Sequence, residues 1–74
     1  MITAEEIKGL IEAGLPGARV QVHGDGHHFE AVIRSGAFAG KTPIQQHQLV
    51  YATLGDRMRE QIHALSLKTL LPES

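Results

Sequence analysis

The sequence predicts a two-layer α+β domain, with helices covering one face of a three-stranded sheet. Three observations point there. A capping signature, Thr3-Ala4-Glu5-Glu6, is followed by apolar residues at helical spacing. Two alternating segments are joined by Gly24-Asp25-Gly26, the composition of a hairpin turn. A second helix start and a final alternating segment complete the order α-β-β-α-α-β.

The first helix is expected from Ala4 to Ala13, with Ile7, Leu10 and Ile11 on its inner side and Gly14 and Pro16 as the stop. Thr3 is placed to cap it and Glu6 to reach back. Ala18 to His23 alternates as a half-buried strand. The second strand is expected from His28 to Arg34, with Phe29, Ala31 and Ile33 on one face. A glycine-containing loop follows, from which Phe38 plugs the core. Thr42-Pro43-Ile44-Gln45 starts the second helix as cap, first turn and reciprocal cap. Ile44, His47, Val50, Tyr51, Leu54 and Met58 are expected on its apolar face, Tyr51 as a core ring with its hydroxyl at the rim. Gly55-Asp56 breaks this helix, and Arg57 to Gln61 makes a further turn. The third strand is expected from Ile62 to Leu70, with Pro72 beyond it.

Residues 1–74 make a single domain with only a modest core, which disfavours a deep catalytic cleft. Seven basic and eight acidic residues nearly cancel, so no strong field selects nucleic acid, a membrane or a charged substrate. With no cysteine, the chain can form neither a disulfide framework nor a thiolate metal site of its own. No stretch approaches transmembrane length, and Met1-Ile2-Thr3-Ala4-Glu5-Glu6 does not resemble a targeting segment, so the expected compartment is the cytoplasm.

The chemistry-bearing residues are histidines. His63 lies at the start of the third strand, and His27 and His28 sit at the mouth of the hairpin. Neutral imidazole is a good transition-metal ligand, and residues distant in sequence can meet in a fold. Histidines without cysteines in so small a domain suggest half of a metal site, completed by a partner. Strand parity places His27 and His28 on opposite faces, so only one of them is expected to point toward His63; His23 is a weaker third candidate. His47, on the apolar side of the second helix, fits a hydrogen-bonded core residue better than a ligand. Asp25 between glycines fits turn chemistry, and no serine or cysteine nucleophile accompanies it.

In order and spacing, Phe38-Ala39-Gly40-Lys41, His47-Gln48-Leu49-Val50-Tyr51, Ile62-His63-Ala64-Leu65 and the Gly24–Phe29 hairpin resemble the BolA family. The resemblance implies an α-β-β-α-α-β fold like the class II K-homology domain. It also implies a non-enzymatic adaptor that shares a [2Fe-2S] cluster with a monothiol glutaredoxin and its glutathione, in iron–sulfur trafficking or iron and redox regulation. His63 takes the family's C-terminal ligand position, and the loop ligand falls to His28, at the His-Phe position, ahead of His27. No cofactor is expected in the isolated protein, which would be a monomer or weak homodimer. The alternative implied by the family is nucleic-acid-binding regulation of transcription. Two departures bear on these expectations. Gln46 replaces the arginine that many members carry before the helix histidine, which weakens the nucleic-acid reading. The sequence also stops at Ser74, where many members continue into another helix, which is expected to trim the partner interface.

Overall fold

The computed structural model describes residues 2–73, so Met1 and Ser74, the ends of the expected domain, lie outside it. Its elements are α1 (Ala4–Gly14), β1 (Arg19–Gly24), β2 (His28–Arg34), a 3-10 turn (Gly36–Phe38), α2 (Pro43–Leu54), α3 (Arg57–Glu60) and β3 (Ala64–Leu70). The predicted α+β order is therefore the observed one. Among the described residues no helix is long and apolar enough to cross a membrane.

Both helix starts follow from their caps. The Thr3 hydroxyl accepts from the Glu6 amide at 3.2 Å and donates to the Glu6 carboxylate at 3.3 Å. Thr42 and Gln45 close a full capping box, with Pro43 in the first turn, where its missing amide leaves no intrahelical bond unmade. Ile2 and Ile7 occupy the two positions of a hydrophobic staple across the first cap, and both are buried. At Gly14, α1 crosses α2 so closely that an added Cβ would lie 2.5 Å from Cγ2 of Thr53. Only glycine allows that approach.

The sheet order is β1-β2-β3. β1 runs antiparallel to β2 across the hairpin, with Val20 opposite Ile33 and Val22 opposite Ala31. β3 runs parallel to β2, with His28 beside Ala64 and Arg34 beside Leu70. A parallel neighbour requires a crossover, and α2 and α3 supply it. Phe29, Ala31 and Ile33 all face the core, as alternation predicts, and join Ile7, Ile11, Val50, Leu54 and Phe38 there. Phe38 is 1% exposed, the plug its position suggested.

Two expectations need correction. The buried stripe of α2 is Val50 and Leu54, flanked by half-buried Gln46, His47, Leu49 and Thr53. Ile44 is 72% exposed, and Tyr51 is 38% exposed rather than a core ring. The rotation has a polar cause. Gln46 donates to the carbonyls of Lys41 (2.9 Å) and Phe38 (3.3 Å) and accepts from the Thr69 hydroxyl of β3 (2.6 Å). That turns the Gln46 side of the helix inward and leaves Ile44 outside. The second correction concerns β3, which begins at Ala64 rather than Ile62. The amides of Gln61 and Ile62 both donate to the Arg57 carbonyl, completing the end of α3. Ile62 is buried, and His63 forms the exposed bend between helix and strand.

Candidate functional site: a histidine cluster at one end of the sheet

The parallel pairing brings the hairpin mouth beside the start of β3. The Ala64 amide donates to the His27 carbonyl at 3.1 Å, just before the ladder takes up at His28 and Ala64. His63 thereby stands level with His27. Its ring centroid lies 6.4 Å from that of His27 and 6.3 Å from that of His28, both edge to face. All three residues are exposed. The expected meeting of His63 with the hairpin therefore occurs.

The expectation that only one hairpin histidine points to His63 is wrong. Strict two-residue alternation holds only inside a paired strand. His27 precedes β2, so its side chain is not bound to that alternation, and both rings lie near His63, at 6.4 and 6.3 Å. Phe29 is buried, as expected of an anchor next to His28, yet the distances favour neither histidine.

Asp25 fixes the backbone of this loop. One carboxylate oxygen, Oδ1, accepts from the amides of His27 (2.9 Å) and His28 (3.0 Å), and the Asp25 amide donates to the His28 carbonyl at 3.3 Å. The amide of His28, then that of His27, stabilises the charged carboxylate and lowers its pKa, and the nearby His28 side chain adds to this. Asp25 is thus the turn residue its setting between glycines suggested. Gly24 answers a second demand. A Cβ there would lie 2.5 Å from the His28 carbonyl oxygen and overlap the Phe29 ring.

The other histidines stand apart, and among the described residues no ring contact joins either to the cluster. His23 is exposed on β1, opposite Glu30. His47 is half-buried on α2, and its ring makes no hydrogen bond among the described residues, so it is not the enclosed, bonded group expected. Gln46 is the structural residue that sequence reasoning missed. Its partner Thr69 is 23 positions away, and nothing local announces the bond.

Among the described residues no three His, Cys, Asp or Glu side chains are arranged to hold a metal ion. What the site offers is a pair of imidazoles at a time, His63 with either His27 or His28. Neutral imidazoles in such pairs ligate borderline metals such as iron, copper or zinc. Oδ1 of Asp25, the carboxylate of the hairpin loop, is committed to the loop amides.

Comparison with known proteins agrees with this architecture. Residues 12–74 match the family model described as BolA-like protein. A bolA protein homologue from Coxiella burnetii has a structure similar to this chain, with a TM-score of 0.88, 52% identity, and 97% of this chain and 94% of that one covered. The BolA domain of SufE1 from Arabidopsis thaliana aligns with a TM-score of 0.81 at 28% identity, over 93% and 91% of the two chains. Protein BOLA2 of Arabidopsis thaliana is 35% identical over 72 residues, which is 92% of this chain and 76% of that protein. The chain is a member of the BolA-like protein family.

Proposed function

We propose that this protein is an adaptor that catalyses nothing itself and shares a [2Fe-2S] cluster with a monothiol glutaredoxin, in iron–sulfur trafficking or iron and redox regulation. One observation carries the reading: in a cysteine-free BolA-like chain, His63 is exposed with two hairpin histidines 6.3 and 6.4 Å away. Family membership adds support.

The donor set fits half a cluster. Two imidazoles satisfy one iron, and the remaining thiolate ligands would come from the glutaredoxin and its glutathione. His63 and one of His27 or His28 would hold the iron on this side. A cluster with two imidazoles on one iron carries less negative charge and a higher reduction potential than an all-thiolate one. The chain contributes backbone rigidity around exposed rings. Asp25 holds the loop, Ala64 ties it to β3, and buried Phe29 and Ile62 anchor the residues next to His28 and His63. Because imidazole must be neutral to ligate, protons compete with the metal as pH falls. Such a half-site suits transfer or sensing more than long-range electron transport.

The test is cluster reconstitution on a glutathione-loaded monothiol glutaredoxin with and without this protein. The visible spectrum should change when the protein is present, and the protein alone should purify colourless. An identical spectrum in both samples refutes sharing. Nucleic-acid binding is the lesser reading. Arg19 and Lys68 are exposed on strands, but Gln46 is committed to internal hydrogen bonds and Arg34 to the Leu71 carbonyl and Glu73. A sequence-dependent mobility shift with DNA at moderate salt would reverse the order of the two.

A further inference from the structure

We propose that His27 and His28 are interchangeable ligands opposite His63, presented as a pair by Asp25. The inference rests on the half-site reading above and adds which residues serve it and how. Adjacent residues on a strand point to opposite faces, so two neighbouring histidines normally cannot address one point. Here the rings of both lie close to the His63 ring, at 6.4 and 6.3 Å, and the hydrogen bonds give the reason. Asp25 Oδ1 gathers the amides of both residues at 2.9 and 3.0 Å, which holds the chain in a turn through His27 and delays the ladder until His28. The Ala64 amide then fixes the His27 carbonyl next to the residue that follows His63. The backbone of the pair is restrained from both sides while both rings remain exposed.

The two rings are chemically identical and equidistant from His63 to within 0.1 Å. One can replace the other at a metal with no change in ligand charge and without His63 letting go. Such one-for-one exchange gives the metal a stepwise route on and off the protein. Asp25 is a positioning residue here. It touches no metal and acts only through the two amides.

The inference is tested on the isolated chain with Ni2+ as the probe, following the His63 ring signals by NMR, while amide exchange at His27 and His28 is measured without metal. His27→Ala and His28→Ala should each weaken Ni2+ binding by only about twofold, the statistical effect of losing one of two equivalent arrangements. The double variant should abolish the response at His63. Asp25→Ala should cost about tenfold in affinity, as loss of an outer partner does, and should unprotect both amides. Asp25→Asn keeps a side-chain oxygen acceptor and should restore both readouts toward wild type. If one single variant abolishes binding while the other is silent, if His63 in the wild type ignores Ni2+, or if Asp25→Ala leaves affinity and amide protection unchanged, the inference is wrong. Cluster reconstitution with the glutaredoxin decides the half-site reading separately, because the Ni2+ and exchange measurements involve no partner.

Discussion

The two ends of strand β2 are built on opposite plans. At its start, the backbone of Asp25 to His28 is tied down by the Asp25 carboxylate and the Ala64 amide, while the rings of His27 and His28 make no hydrogen bond among the described residues. At its far end it is the side chains that are committed. Arg34 donates to the Leu71 carbonyl at 3.1 Å and pairs with Glu73 at 3.4 Å, Ser35 is buried and caps the following turn, Phe38 fills the core, and Gln46 links that turn to β3. The difference separates the proposed binding end from a structural end. A ligand needs free donor atoms on a fixed frame, whereas stability comes from side chains that are buried or bonded.

If the two ends differ in this way, substitutions at the structural end should chiefly affect stability, and those of the exposed histidine rings at the binding end should chiefly affect metal chemistry. The largest expected effect is Phe38→Ala, which leaves a cavity where a fully buried ring was and should cost about 3–5 kcal/mol. A urea melt measures it, and a loss below about 1 kcal/mol, the size of an average substitution, would deny Phe38 its core role. Gln46→Ala removes three hydrogen bonds at once and should cost about 1–2 kcal/mol. Its amide exchange should rise at the Phe38–Lys41 turn and at Thr69, with the His27 and His28 amides unaffected; a change at those two amides would show that the ends are coupled.

His63→Ala should change stability by no more than about 0.5 kcal/mol, as for other exposed residues, while half-buried His47→Ala should cost about 1 kcal/mol. Cluster sharing with a glutaredoxin should vanish in the first variant and survive in the second. The opposite pattern would move the site to α2. The smallest effect is a pH dependence at the binding end. The Asp25 pKa lies below its ordinary value of 3.8, chiefly through the His28 and His27 amides. A depressed carboxyl pKa contributes stability at pH above the unfolded value, and that contribution is lost as pH falls through the folded one. The two amides should therefore keep their hydrogen-bonded NMR signature across the usual aspartate range and lose it only at stronger acid. Loss at or above the ordinary aspartate pKa would show that Asp25 does not hold them.

Most of the architecture was legible because local rules dictate it. Capping at Thr3 and Thr42, alternation through Val20 and Val22 and through Phe29, Ala31 and Ile33, and the turn chemistry of Asp25 are properties of neighbouring residues. The histidines were legible as candidates through their residue type and the family pattern around them. The rotation of α2 was hidden because its apolar residues admit two faces, and the choice was made by bonds from Gln46 to Lys41, Phe38 and Thr69 that only the assembled fold creates. The start of β3 was hidden because the Arg57 carbonyl claims the Gln61 and Ile62 amides first. By itself, then, the sequence determined the order of elements, most of the core and the identity of the candidate donors. The parallel pairing of β2 with β3 brings His63 within 6.4 Å of both His27 and His28, and only tertiary structure could decide that, because a register between segments 36 positions apart is fixed by burying both strands' apolar faces together.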